Sequence, residues 1–174
     1  VAGDDIVVTA RRRDESVQDV PLVVQAVTAS DMAKLNLRDF KEITTVVPGL
    51  QMGTNANGIG TTSSVRGVNY DVNASGNNGT IEFYFNDAPT SAAVLFTPMF
   101  DIGQIEVLRG PQGTLRGRAS PSGSITITTR RPDMSEPGGY VTGTIKNIGG
   151  HNVNGAIGVP IIADKLAIRV AGLT

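Results

Sequence analysis

The chain holds 174 residues with 15 basic and 16 acidic side chains, a formal net charge of −1, one histidine, and neither cysteine nor tryptophan. So even a balance excludes the broad positive field that holds a nucleic acid. The missing cysteines exclude a disulfide framework and thiolate metal sites, while a lone His151 leaves no histidine cluster for a metal and only one base for Ser-His-Asp chemistry.

Glycine supplies 21 residues, about 12% against a usual ~7%, which points to an ordered, turn-rich chain of short strands. Residues 1–10 lack the basic start and apolar middle of a signal peptide, as expected of a cytosolic chain or of a mature one whose signal has been removed. No apolar stretch approaches the roughly 20 residues of a membrane helix. Residues 1–19 read as a flexible segment carrying one strand-prone hexamer, Asp5-Ile6-Val7-Val8-Thr9-Ala10, between acidic and arginine-rich flanks. Such a segment buries too little apolar surface to fold alone, and Arg11-Arg12-Arg13 reads as a solvated charge run.

Ordered structure is expected from Val20-Pro21, with a β-branched strand over 22–27. Ser30 reads as the N-cap of a helix over 31–35. A second helix is expected over 37–46, where Phe40, Ile43 and Val47 share a face, and Pro48-Gly49 stops it. Residues 53–80 hold six glycines and six asparagines and read as two long loops hung on a strand over 64–68. Strands follow at 81–85, ended by an Asn86-Asp87 turn, at 105–108, and at 124–129 after a glycine-rich connection over 110–123. Arg130-Arg131-Pro132 closes this domain, and residues 133–138 read as a linker.

The last 36 residues alternate with period two over 139–147, 153–159 and 166–173. Leu166, Ile168 and Val170 fall on one side, Ala167, Arg169 and Ala171 on the other. Turns are expected at Gly149-Gly150, with His151 as a loop residue, and at Ala163-Asp164-Lys165. Strands about nine residues long with this dyad pattern match those of outer-membrane barrels. Three of them leave two unpaired edges and an apolar face, so the meander needs further strands or a partner.

Taken in order, these segments resemble one family, the TonB-dependent outer-membrane transporters of Gram-negative bacteria. The hexamer at residues 5–10 is similar to the TonB box. Val20-Pro21-Leu22-Val23-Val24 and Val47-Pro48-Gly49-Leu50 are similar to the opening of the plug domain, and Val65-Arg66-Gly67 to the family's IRG element. Residues 81–89 stand where the family has a strand and a DG turn. The most specific match is Ile105-Glu106-Val107-Leu108-Arg109-Gly110-Pro111-Gln112-Gly113-Thr114-Leu115, continued by Gly117-Arg118 and Gly123-Ser124-Ile125. Ala88, Gln104, Arg116 and Ser122 depart from the pattern, which bears on local loop geometry.

The resemblance implies an α+β plug domain, a small mixed β-sheet with short helices and long loops over 20–132, followed at 139–174 by the first three antiparallel strands of a transmembrane β-barrel. It implies a part that gates the barrel in the outer membrane, binds substrate on its outer loops and couples to TonB, itself energised through ExbB and ExbD. The plug would sit in the lumen of the rest of its own barrel, among outer-membrane lipids, with the box facing the periplasm. A ferric siderophore is the default substrate; an oligosaccharide, vitamin or aromatic compound is the alternative. No cofactor, nucleic-acid partner or metal is implied. A non-transporting binding module with a plug fold is a rival reading, and a signal-transducing receptor, which carries an extra domain ahead of the box, is another. No nucleophile–base pair or paired-carboxylate signature supports an enzyme.

Three groups of site residues follow. Asp5, Ile6, Val7, Val8, Thr9 and Ala10 form the TonB-binding segment, because a flexible β-branched hexamer suits strand addition. Arg66 and Arg109 match by motif the arginines that lock family plugs to carboxylates of the barrel wall; the alternative is exposure to a water-filled lumen. Asn55, Asn57, Tyr70, Asp71, Asn73, Asn77, Asn78 and Phe96 are candidates for substrate contact, since short polar side chains with an occasional aromatic suit a glycan or chelate. Turn geometry explains the asparagines equally well. Asp71, Asn73 and Asn77 lack EF-hand spacing and are not assigned to a cation. The 110–123 connection contains neither GxxxxGK[ST] nor GxGxxG, and close backbone packing explains its glycines better than a phosphate cradle.

Overall fold

The computed structural model describes residues 6–9, 13–54, 61–68, 80–90, 99–111, 113, 120–145 and 149–174. The chain divides into two compact units, Val1–Pro98 with Gln104–Thr128, and Met99–Gly103 with Thr129–Thr174. The second unit therefore begins at Thr129, ahead of the sequence-based boundary at 132, and takes in the segment 99–103.

The first unit opens with a two-stranded ribbon, β1 (Val7–Val8) and β2 (Glu15–Ser16). Its main sheet combines β3 (Val23–Thr28), β6 (Ile81–Phe85), β7 (Ala88–Thr90), β8 (Ile102–Arg109) and β9 (Gly123–Thr129) in the order β3-β8-β9-β6-β7. β6 and β9 run parallel while β3–β8 and β6–β7 are antiparallel, so the sheet is mixed, as expected. Four consecutive residues of β6, Ile81, Glu82, Phe83 and Tyr84, are buried, the sign of a strand covered on both faces. The β6–β7 turn is made by Asn86 and Asp87 at φ 47 and 66. Two left-handed residues make the twist of a two-residue hairpin loop, and Asn and Asp tolerate that conformation, so the glycine usual to the family is not needed here.

Between β3 and β6 lie a short helix α1 (Ala29–Lys34), a 3-10 helix (Phe40–Thr45) and the hairpin β4 (Leu50–Thr54) and β5 (Thr61–Val65). The N-cap of α1 is Thr28, two residues before the expected Ser30. Thr28 and Asp31 form a capping box in which the Asp31 carboxylate accepts the Thr28 hydroxyl at 2.7 Å and its backbone N–H at 3.1 Å. The expected second helix is one 3-10 segment, because Ile43-Thr44-Thr45-Val46-Val47 is β-branched throughout and Thr44 and Thr45 donate their hydroxyls to the carbonyls of Lys41 and Glu42. Its expected face is nonetheless buried: Phe40, Ile43 and Val47 are all in the core. The strand expected over 64–68 ends at Val65. Arg66 and Gly67 turn the chain at φ 55 and 76, and Val68 bridges back to Val65. β4, read as the start of a loop, is the partner strand that this turn-bounded segment needs.

Gly123 shows why the connection before β9 needs glycine. It sits at φ 143, and a Cβ there would lie 2.1 Å from the Leu108 carbonyl oxygen, closer than any real contact.

The second unit is an antiparallel meander of β10 (Gly138–Ile145), β11 (His151–Ile162) and β12 (Leu166–Leu173). His151 is the first residue of β11, paired with Ile145, and not a loop residue. Val141, Ile145, Ile157, Val159, Ile168 and Val170 are exposed, whereas Arg169 on the opposite face is largely covered. The apolar side of every strand is thus its exposed side. Among the described residues, no helix is long and apolar enough to cross a membrane.

The Asp31 carboxyl is held below its ordinary value of 3.8, chiefly by the Thr28 hydroxyl and then by the Thr28 N–H. A folded-state pKa below the unfolded one adds stability that is complete above the unfolded value and lost as pH falls through the folded one. Thr28→Ala is expected to destabilise α1 by about 1 kcal/mol at neutral pH, with the gap from the native chain narrowing below about pH 4. Hydrogen exchange of the helix amides at both pH values checks this.

Candidate functional site

Among the sequence-based site residues, the structure describes Ile6, Val7, Val8, Thr9, Arg66 and Arg109. Asp5, Ala10, Asn55, Asn57, Tyr70, Asp71, Asn73, Asn77, Asn78 and Phe96 lie outside the described residues.

Ile6–Thr9 is docked on the first unit, where the sequence alone suggested a free segment. These residues cannot bury themselves alone, but they borrow a surface from β8. Val8 is 0% exposed and packs with Val20 and Leu108, ringed by Ile6, Val17, Leu22, Val24 and Ala26. Val7, pointing the other way on the strand, is 48% exposed.

Both backbone edges of the segment are occupied. On one side β2 pairs with it in the register Val7↔Ser16 and Val8↔Glu15, and the Val17 N–H donates to the Ile6 carbonyl at 2.8 Å. In an antiparallel pair hydrogen-bonded positions alternate, so residues 6 and 8 face β2 and residues 7 and 9 face away. On that second side β8 supplies side chains instead of backbone. Gln104 Nε2 donates to the Val7 carbonyl at 2.9 Å, and the Glu106 carboxylate accepts the Thr9 N–H at 2.8 Å and the Thr9 hydroxyl at 3.1 Å. Gln104 also donates to the same Glu106 oxygen at 3.3 Å. Glu106 is only 2% exposed, and a buried carboxylate needs such donors. Arg13 and Glu15 add an ion pair at 2.8 Å, but with Arg13 largely in water its contribution is small.

Sequence reasoning singled out the hexamer and missed its holders. The available signal was Glu106, an acid inside the apolar strand Ile105-Glu106-Val107-Leu108. The β3–β8 register sets it opposite Ala26, on the face that carries Leu108 and Val24.

The two candidate lock arginines are not brought together. Arg66 is exposed on its turn, and its N–H donates to the Gly49 carbonyl at 2.9 Å. Arg109, at the end of β8, donates Nη2 to Gln25 Oε1 at 3.0 Å, and Gln25 in turn donates to the Val46 carbonyl. The buried Arg109 Nε has no hydrogen-bond partner among the described residues. No group of three or more potential metal ligands occurs among the described residues.

Residues 16–124 match the family model described as the TonB-dependent receptor plug domain. The chain is 31% identical over 145 residues to the pesticin receptor of Yersinia pestis, covering 82% of this chain and 21% of that protein. It is 29% identical over 136 residues to the ferrichrome outer membrane transporter/phage receptor of Escherichia coli, covering 74% of this chain and 17% of that protein. Among solved structures, the ferric yersiniabactin uptake receptor FyuA from Yersinia pestis superposes with a TM-score of 0.76 at 27% identity, over 87% of this chain and 24% of that one. The chain thus spans about a fifth of the length of these relatives.

The hydroxyl of Thr9 bonds a charged acceptor, an interaction whose loss costs about 1.5–3 kcal/mol. Thr9→Val is therefore expected to raise the undocked population of residues 6–9 by at least about tenfold. Faster tryptic cleavage at Arg11-Arg12-Arg13, with unchanged exchange in β6 and β9, is the readout.

Proposed function

Because the chain belongs to the TonB-dependent receptor plug family, we propose that it is the gating part of an outer-membrane importer whose coupling segment is held in a closed position until it is needed. The observation that carries this reading is the docking of residues 6–9. A segment that works by adding to a partner strand must expose backbone N–H and C=O groups; here one edge is paired with β2, and on the other the Val7 carbonyl and the Thr9 N–H are held by β8 side chains. The apparent affinity of TonB for the segment is then reduced by the undocked fraction, so an undocked share of about 1% weakens it about 100-fold. Substrate on the outer loops would raise that fraction, and TonB, energised through ExbB and ExbD, would then pull on the released strand.

The remaining assignments rest on the same reading. Residues 1–19 carry the box, 20–132 form the plug, 133–138 link, and 139–174 supply the first barrel strands, with the rest of the receptor completing the wall. The exposed apolar side of β10–β12 supports a lipid-facing wall, since a soluble module would leave that side in water. Arg66 and Arg109 are assigned to carboxylates of the inner wall; the buried, unpartnered Nε of Arg109 suits such a contact. Asn55, Asn57, Tyr70, Asp71, Asn73, Asn77, Asn78 and Phe96 are assigned to substrate. A ferric siderophore is the substrate class favoured, because FyuA takes up ferric yersiniabactin and the Escherichia coli relative takes ferrichrome.

Two experiments on the whole receptor test this. Iron-loaded chelates and cobalamin are offered to cells with and without TonB; TonB-dependent iron uptake is expected, and uptake of neither sinks the transport reading. Val7→Pro removes a backbone N–H and fixes φ, so uptake is expected to fall to the level without TonB while substrate binding is unchanged. Full uptake in that variant would remove the coupling role from this segment. For the wall, Ile157→Lys is expected to cost about 2–4 kcal/mol in barrel stability if it lies near the bilayer midplane, whereas a lysine at Asn154 on the opposite face costs far less. Denaturant unfolding in lipid vesicles distinguishes them.

A further inference from the structure

Within the second unit a polar cluster gathers around Asp101. Asp101 sits just ahead of β8 at φ 53, a left-handed conformation that aspartate tolerates. Its buried carboxylate takes both arms of one guanidinium, accepting Arg169 Nε at 2.8 Å and Nη2 beside it. Its backbone N–H donates to the Tyr140 hydroxyl at 3.0 Å, and its carbonyl accepts the Arg130 N–H at 2.9 Å. Arg130 stacks 5.1 Å from the centre of the Tyr140 ring and donates Nε to the Ile102 carbonyl at 3.3 Å. At Gly103, a Cβ would meet the Thr129 carbonyl oxygen at 3.1 Å. Residues 101–103 are therefore gripped by β10, by β12 and by the chain at 129–130, all within the second unit.

The chemistry of this grip differs from that of the box. Residues 6–9 are held by the burial of one valine side chain, by a backbone ribbon, and by hydrogen bonds to one carboxylate and one amide that water can replace. Opening the Asp101–Arg169 pair leaves two opposite charges without their partners in a covered site, and the bidentate geometry must be lost in one step. In chain order, force entering at residues 6–9 meets β1–β2 and β3 before it reaches Asp101. We propose that the Asp101–Arg169 pair, clamped by Tyr140 and Arg130, is a fixed anchor: it stays closed while the N-terminal part of the chain is released and pulled. The inference rests on the transport reading above.

The chain has no cysteine, so in a whole receptor whose remaining part is also free of cysteine, or made so, paired cysteines placed in this chain can be cross-linked selectively. Asp101→Cys/Arg169→Cys, joined by a short reducible bis-thiol reagent, is expected to keep TonB-dependent iron uptake. Uptake lost on linking and regained on reduction overturns the anchor. Thr9→Cys/Glu106→Cys, joined in the same way, is expected to lose uptake; if it does not, the role given to the box fails, not the anchor. Asp101→Asn tolerates the same backbone conformation and keeps both backbone hydrogen bonds while removing the charge. It is expected to admit an antibiotic too large for the native receptor, and only when TonB is present. An unaltered barrier in Asp101→Asn cells with TonB overturns the proposal, as does leakage that is equal without TonB.

Discussion

A strand kept ready for a partner must have its backbone satisfied in the meantime, and it must be satisfied weakly enough to be given up. Residues 6–9 meet both conditions through β8. Burial of Val8 contributes about 1.5–3 kcal/mol, the Gln104 bond to Val7 about 0.5–1.5 kcal/mol, and the two bonds to the Glu106 carboxylate about 1.5–3 kcal/mol each. Ordering four residues costs about 1–2 kcal/mol apiece. These magnitudes nearly cancel, so the docked and free states lie within a few kcal/mol of each other. Small changes at Gln104 or Glu106 therefore move the balance, which a segment buried like a core strand would not allow.

The position of β8 makes this possible. It is an interior strand of the sheet, flanked by β3 and β9, so its backbone is committed and only its side chains remain for a fifth segment. Alternation divides them. Gln104, Glu106 and Leu108 share the face that receives residues 6–9, and Ile105 and Val107 pack into the opposite side. The same strand begins beside Asp101, where the bonding is ionic and sheltered. One strand thus carries a replaceable contact on its face and a resistant one at its start.

Much of this was legible in the sequence where local rules act alone. The buried face of Phe40, Ile43 and Val47 follows from spacing, and the Asn86-Asp87 turn from the tolerance of those residues for positive φ. Where two local signals competed, the weaker was misread. Ser30 and Thr28 can both cap, but only Thr28 has an acid three residues on, and the reciprocal hydrogen bonds decide the boundary. Arg66-Gly67 continues an alternating run, yet both residues adopt left-handed angles and end the strand. Contacts far apart in sequence gave no local signal at all. Thr9 and Glu106 are separated by 97 residues, and Asp101 and Arg169 by 68. Glu106 and Arg169 still left a trace, being an acid and a base on strands that otherwise read as apolar or small.

Alternation of period two says that a strand has two unlike sides, but not which of them faces water. In β12 the apolar set Leu166, Ile168 and Val170 has the form of a core-facing set in a soluble sheet, and the structure puts it outside. The other side settles the matter. Arg169 is committed there to Asp101, and Tyr140 on β10 is held between Asp101 and Arg130, so that side is already filled with bonded polar groups. A sheet whose polar side is packed and whose apolar side is bare is inverted relative to a soluble protein. An apolar side left bare in this way calls for a cover as apolar as the strand itself, which is the physical ground of the lipid-facing wall proposed for these strands.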